Sequence, residues 1–401
     1  MTSNRTAQFI QLEERYGAHN YHPLDLVVER AEGCWVYDVE GNRYLDCLSS
    51  YSALNQGHCH PRLLQTLQEQ ASKVTLTSRA FRNDQLPRLY EKLHQISGKD
   101  RVLPMNSGAE AVETALKMAR KWGYKVKGIP ENQAQIIVFK NNFHGRTISI
   151  VSFSTEKQYR DGFGPFTPGF KIVPFDDLAA LEAAMTSNTC AVMLEPIQAE
   201  AGILIPSPGF LKGVQALCRE HNALMIADEI QTGLGRTGKM FAFQHDNIEP
   251  NVIIVGKALS GGFYPVSAVM ADDEVMGVFH PGDHGSTYGG NPLGSALAVT
   301  ALQILEDENL VSRAEVLGKQ FIESLKAIPS PHIKEVRGRG MLIGIELNTP
   351  ARRFCEALKM QGVLCKETHE TVIRFAPPLV ITEHDLMWAE ERIKKVLLSN
   401  I

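Results

Sequence analysis

The sequence predicts an α/β fold, with a large, mainly parallel sheet domain and a smaller α+β domain built from both ends of the chain. Three observations carry that expectation. Between about residue 100 and residue 300, short β-branched runs alternate with helical stretches, the pattern of repeated strand–helix–strand units. The runs are continuously apolar rather than alternating, as strands covered on both faces are. The first 50 residues and the last hundred follow other patterns. The expected division is an N-terminal segment 1–51 of the small domain, a large domain 52–297, and a C-terminal part 298–401 that completes the small domain.

Taken in order, VVERAEGCWVYDVEGNRYLDCL (27–48) reads as a β-meander turning at Glu40-Gly41-Asn42. Ser107 to Tyr124 carries helical periodicity, with Val112, Ala115, Leu116 and Ala119 on one face. Ser107 and Glu110 form a capping-box pattern at its start. IIVF (136–139), AVML (191–194), ALMIAD (223–228), VIIVG (252–256) and VSAVM (266–270) read as buried strands, and Gly209 to His221 as a helix between two of them. Past residue 294, SALAVTALQILEDENLVSRAEVLGKQFIESL (295–325) reads as one long helix, followed by a strand, GMLIGIEL (340–347), and a C-terminal helix.

Composition excludes several classes. Apolar residues make up 44% and charged residues 21%, which is ordinary for a globular chain and not for a disordered one. Lys and Arg total 41 against 45 Asp and Glu, a net charge of −4, so no basic surplus points to nucleic acid or to anionic lipid. The most apolar long stretch, Asn251 to Ala271, contains Lys257, tandem glycines and Pro265, which argues against a membrane span. The N-terminus, MTSNRTAQFIQLEERYG, has no apolar signal core, and Glu13 and Glu14 do not suit a transit peptide; the expected address is the cytoplasm. Seven cysteines with scattered spacing and no CxxC make neither a disulfide framework nor a zinc ribbon.

Two motifs are decoys. GLGRTGKM (233–240) matches GxGxxG and, up to its last residue, the GxxxxGK[ST] phosphate loop. That loop needs a hydroxyl after the lysine to ligate Mg²⁺, and Met240 offers a thioether. Without a following helix, glycines that bend a loop are the preferred reading over a nucleotide site. His58-Cys59-His60 is read as a turn before a helix, because adjacent side chains rarely converge on one ion and Pro61 follows. No metal site is expected.

A third constellation is more specific. Asp228 ends an apolar strand, and Lys257 follows the buried run VIIVG. An acid and a lysine at the ends of neighbouring strands point to the carboxyl edge, where open α/β sheets bind ligands. Burial lowers a lysine's pKa, which is what a Schiff-base lysine needs. Taken alone, Lys257 reads as a strand-end surface lysine and Asp228 as a helix cap.

Other segments change that balance. NSGAEAVETALKMAR (106–120), FHGRT (143–147), EPIQAEAG (195–202), ADEIQTGLGRTG (227–238), GKALSGGFYPV (256–266) and HGSTYGGNP (284–292) occur in order. Together they resemble the class III aminotransferases, pyridoxal 5′-phosphate enzymes of the aspartate-aminotransferase-like fold type I, over essentially the whole chain. Within the class, AHNYHPL (18–24) and LSSYSALNQGHCHP (48–61) resemble the ornithine δ-aminotransferase branch, since the acetylornithine branch usually lacks tyrosines at the positions of Tyr21 and Tyr51.

The resemblance implies a role for each matching residue. Lys257 is the covalent anchor of the cofactor and the proton shuttle, and Asp228 the partner of the ring nitrogen. Gln231 bonds the cofactor's 3′-oxygen, and Phe143 stacks on its ring. Ser107, Gly108 and Ala109 hold the phosphate, and Thr287 reaches it from the other subunit of a homodimer with shared active sites. The phosphate assignment has its own physical argument, because the first turn of a helix offers free amides and a positive dipole end to an anion. Arg374 binds the α-carboxylate of L-glutamate, and Glu200 is its gate, pairing with it when L-ornithine occupies the site; a plain ion pair is the other reading of those two. Tyr21, Tyr51 and Arg146 bind the far end of the substrate. The implied activity is transfer of the δ-amino group of L-ornithine to 2-oxoglutarate, giving L-glutamate and glutamate 5-semialdehyde, in arginine and ornithine catabolism and proline biosynthesis. Acetylornithine and 4-aminobutyrate aminotransferases stay open as alternatives.

Overall fold

The structure is a computed structural model that describes residues 4–399. A seven-stranded sheet runs in the order Arg101–Met105, Ser267–Ala271, Val252–Val255, Leu224–Asp228, Thr189–Leu194, Gln135–Phe139, Phe170–Val173. The last five strands are parallel to one another. Ser267–Ala271 is antiparallel to both neighbours. The link into it from Val255 holds only the short 3₁₀ turn Lys257–Ser260, too little chain for the crossover that a parallel neighbour requires. Arg101–Met105 and Phe170–Val173, which the sequence patterns do not announce, are the two edge strands. Pro104 lies in the first of them, as proline in a sheet is confined to edges.

Burial on both faces follows from the apolar runs. Ile136 and Val138 pack with Ala111, Val112 and Ala115 of helix Gly108–Trp122, while Ile137 and Phe139 face the opposite core with Phe210, Leu211 and Val214 of helix Phe210–Glu220. Strands Val252–Val255 and Leu224–Asp228 are parallel, so their carboxyl ends share one edge. Two successive antiparallel pairings turn Arg101–Met105 the same way, which brings the start of helix Gly108–Trp122 to that edge too.

Near the N-terminus, Val28–Glu32, Trp35–Asp38 and Arg43–Asp46 form the expected meander, with Gly41 at φ +89° in its turn. Val363–Leu364 joins it, parallel to Arg43–Asp46, so the two ends of the chain share a sheet. A second antiparallel sheet contains Ile333–Arg339, Leu342–Leu347, Val372–Phe375 and Lys366–Thr368. The single long helix expected over 295–325 is two, Pro292–Asp307 and Leu310–Lys326. Asn309, at φ +53°, breaks it, and three acids in a row before it oppose the helix dipole at a C-terminus. Among the described residues no helix is long and apolar enough to cross a membrane.

Just after the meander the backbone takes an unusual course. Ser49, Ser50, Tyr51 and Ser52 have φ of +44, +50, +59 and +72°, one turn of left-handed helix built without glycine. That conformation costs about 1–2 kcal/mol per L residue, so surrounding contacts must hold it. Asp46 Oδ1 accepts from the amides of Leu48 (2.9 Å) and Ser49 (2.8 Å) at its entry.

Candidate active site

The shared carboxyl edge opens on a cleft lined by Gly108, Ala109, Phe143, Asp228, Gln231 and Lys257, six residues expected from the sequence, and by His144, Glu195, Ile230 and Thr232. Lys257 stands one residue past its strand, after Gly256, and is held at φ +41°, an uncommon value for a residue with a side chain. Burial pushes its amine below the ordinary lysine range, against the opposing pull of Glu200, Asp228 and Glu195. Asp228 is 4% exposed; its Oδ1 accepts from the Ile230 amide (3.1 Å) and its Oδ2 faces His144 Nδ1 at 2.6 Å. His144 Nε2 is buried with no partner among the described residues. Sequence reasoning gives His144 no role, although it stands inside FHGRT; its position next to Phe143 is the available signal.

Phe143 is fixed through its backbone, whose amide donates to Glu195 Oε1 at 2.8 Å. Burial, with Asp228 nearby, pushes the Glu195 carboxyl well above the usual range, against the opposing pull of the Phe143 amide. Ser107 caps helix Gly108–Trp122 in a complete capping box with Glu110, as expected, and the amides of Gly108 and Ala109 have no partner among the described residues. A Cβ at Gly108 would sit 3.0 Å from Ile230 Cδ1, so a larger residue here would have to push Ile230 aside. A buried carboxylate, a neutral-leaning lysine, an aromatic ring and free helix-start amides form a donor set that fits pyridoxal phosphate. Thr287 is exposed and outside this cleft; its neighbour Ser286 accepts from Asn106 Nδ2 at 2.9 Å, which keeps that loop beside Ser107.

The substrate side is built differently. Arg374, on strand Val372–Phe375, is 1% exposed. Its Nη1 meets Glu200 Oε1 at 2.9 Å, and its Nη2 donates to Ser52 Oγ (3.1 Å) and Gln231 Oε1 (3.0 Å). The Gln231 carbonyl is thus used by Arg374, and its NH₂ is left for the cleft. The Glu200 side chain is 25% exposed, on a loop rather than a strand. Arg374 also lies over the Tyr51 ring, 5.5 Å from its centre, and burial and Glu200 raise the Tyr51 phenol above its usual range. Tyr21, Tyr51 and Arg146 line one broad neighbouring cleft, with Tyr159 beneath Arg146 at 4.2 Å. Ser52 and Tyr159 are the residues here that sequence reasoning missed. Ser52 stands next to a named tyrosine, but nothing in its neighbourhood signals a contact to a residue 322 positions away.

Neither decoy becomes a site. GLGRTGKM is a loop with Gly235 and Gly238 at φ +90 and +88°, and no phosphate-loop helix comes after it. His58 and His60 diverge, to Asp46 (2.8 Å) and Glu308 (3.0 Å).

A large sheet with a buried lysine and acid at its carboxyl edge, near a buried arginine paired with a part-exposed glutamate, is the arrangement of a fold-type-I aminotransferase. The family model for aminotransferase class III matches residues 16–397, and the chain belongs to that family. It is 62% identical over 394 residues to an ornithine aminotransferase of Brevibacillus brevis, covering 98% of this chain and 99% of that one. An ornithine aminotransferase structure from Toxoplasma gondii, with pyridoxal phosphate partly occupying its active site, superposes with a TM-score of 0.97 at 47% identity, covering 98% of this chain and 94% of that one. An acetylornithine aminotransferase structure from Elizabethkingia anophelis gives 0.90 at 50% identity, covering 98% and 99%.

Proposed function

We infer that this protein is an ornithine aminotransferase, moving the δ-amino group of L-ornithine to 2-oxoglutarate and releasing glutamate 5-semialdehyde, which cyclises to pyrroline-5-carboxylate, and L-glutamate. Its cofactor is pyridoxal 5′-phosphate, which when bound supplies an aldehyde for the amino group and a ring that takes up electron density. Asp228 keeps the ring nitrogen protonated, the Gly108 and Ala109 amides with Ser107 hold the phosphate, and Phe143 packs on the ring. Lys257 Nζ would anchor the cofactor and, once freed, would move the proton between the reacting carbon of the substrate and C4′ of the cofactor. Gln231 turns its NH₂ to the cofactor's phenolic oxygen.

The observation that carries the substrate reading is the Arg374–Glu200 pair. L-Glutamate has a carboxylate beside its reacting carbon and the δ-carbon of ornithine has none. A buried arginine with a part-exposed, loop-borne counter-charge serves both: Glu200 neutralises Arg374 for ornithine and yields it for glutamate. An unpaired buried arginine would be costly in the ornithine half. Tyr21, Tyr51 and Arg146 take the distal α-amino-acid end. Against L-ornithine, N-acetylornithine and 4-aminobutyrate in parallel, kcat/KM should favour ornithine by at least about tenfold, the discrimination that one lost polar contact gives. A preference for N-acetylornithine would replace this reading with the acetylornithine one.

We read the protein further as a cytoplasmic homodimer in which Thr287 completes the partner's phosphate site, within the pathways of ornithine catabolism and proline biosynthesis. An exposed Thr287 on a loop tied to Asn106 supports this. Light scattering at assay concentration should give a dimer, and Thr287→Ala should weaken cofactor retention on dialysis without altering the dimer.

A further inference from the structure

Arg236 lies in the loop whose glycines imitate a phosphate-binding motif. It is completely buried and bonds only neutral oxygens among the described residues. Its Nη1 donates to the carbonyls of Met341 (3.0 Å) and Pro377 (2.6 Å), and its Nη2 to Ser49 Oγ (3.2 Å) and Asn55 Oδ1 (2.6 Å). A buried charge without a counter-charge is unfavourable, and burial, with Arg374 nearby, pushes this guanidinium down to about 9. A loop bent by glycines has no need of such a residue.

Three of the four acceptors share a location. Pro377 lies three residues beyond Arg374 on the same stretch of chain, and Ser49 and Asn55 flank Tyr51 and Ser52. Ser49 also donates to the carbonyl of Ala376. Three residues apart on one helical turn, Ser49 and Ser52 each meet a buried arginine, Arg236 and Arg374 respectively. The turn between them is left-handed at four consecutive L residues, a conformation that persists only where the surroundings impose it.

We propose that Arg236 is a positioning residue for substrate recognition, clamping the left-handed turn to the Arg374 strand so that Tyr51 and Ser52 are presented to the Arg374 guanidinium. This rests on Arg374 and Tyr51 binding substrate, as inferred above.

The test uses holoenzyme of two variants. Ser49→Ala removes only the hydroxyl between Arg236 and the turn, and Arg236→Gln removes the clamp. Both should keep the cofactor's visible spectrum. Both should raise KM for 2-oxoglutarate and for L-ornithine about tenfold, as loss of a hydrogen bond to a charged group does, with little change in kcat. Combining Ser49→Ala with Ser52→Ala should raise KM no further than the worse single change, because both act on one contact. A merely structural arginine predicts something else: unchanged KM, with kcat reduced in step with the folded fraction seen by circular dichroism. That result, or fully additive KM effects, overturns the proposal. If Arg236→Gln does not fold, Ser49→Ala decides alone. Arg374→Ala separates the two levels: should it leave the 2-oxoglutarate KM unchanged, the reading of Arg374 itself fails, whereas a raised KM there with none in Ser49→Ala removes only the role of Arg236.

Discussion

The two walls of the cleft are held in opposite ways. On the cofactor side, Asp228, Phe143 and Lys257 sit at strand ends or on backbone tied to buried acids, and each polar contact is made within the large sheet's edge. On the substrate side, Arg374 belongs to a different sheet, and its charge is met by Glu200, whose side chain is a quarter exposed. The first wall rests on buried acids; the second rests on a part-exposed counter-charge, as the proposed gate requires. The difference matches the chemistry, since the cofactor is the same in both half-reactions and the substrate is not. It also makes a sharp expectation: damage to the cofactor wall slows both half-reactions by equal factors, and loss of either charge of the Arg374–Glu200 pair slows them unequally.

The largest effect belongs to Lys257. Lys257→Ala removes anchor and proton carrier together, and each half-reaction should lose at least the 10²–10⁴-fold that positioned acid–base work contributes, roughly to background. Stopped-flow absorbance of each half separately is the measurement, and more than a few per cent of turnover in the purified variant contradicts the assignment. Asp228→Asn comes next. It keeps the shape but loses the charge on the ring nitrogen, and both halves should slow by about 10²–10³-fold, the usual size of one lost electrostatic stabiliser. Unequal slowing here would break the comparison from the cofactor side.

Smaller and asymmetric effects are expected from the gate. Arg374→Ala should slow the glutamate half-reaction by roughly 10–150-fold, the worth of a charge-assisted contact, and the ornithine half by less. Glu200→Ala should do the reverse, leaving Arg374 uncompensated when ornithine binds and letting ornithine react at its α-amine. Equal slowing of both halves by either change would make the pair a plain structural ion pair.

How far this was legible in the sequence differs between the walls. On the cofactor wall, local pattern puts Asp228, Lys257 and Gly108 at the ends of apolar runs or in a capping box; taken alone that pattern makes Lys257 a surface lysine and Asp228 a cap, and likeness to a family supplies the roles proposed for them. Arg374 and Glu200 could be named only by likeness to a family, because their meeting joins residues 174 apart with no periodicity between them. Ser52 and Arg236 were unreadable for a further reason. The left-handed turn that gives Ser49 and Ser52 their directions has no glycine to announce it, and the glycines around Arg236 drew attention to a phosphate-loop pattern instead of to its side chain. The single helix expected over 295–325 fails similarly: its apolar periodicity continues across Asn309, and only the acid cluster before it hints at the break.

The smallest expected effect concerns what a rigid cofactor wall does to stability. Glu229, directly after Asp228, is 1% exposed and accepts from Thr232 Oγ1 and from the Phe243 amide (2.9 Å); burial pushes its carboxyl from about 4.5 up to about 7. With the folded pKa above the unfolded one, the unfolded chain releases this proton first as pH rises. The contribution of Glu229 to stability is therefore whole below about 4.5 and is lost progressively up to about 7, after which the dependence levels off. Glu229→Gln can accept from the Phe243 amide and donate to Thr232 but cannot ionise, so between those limits its melting temperature should fall less than that of the wild type, by a few degrees. Neither half-reaction should change its ratio to the other, because Glu229 lies behind the wall that both share. Parallel melting curves for variant and wild type across that pH range would show that Glu229 is not held neutral in the folded protein.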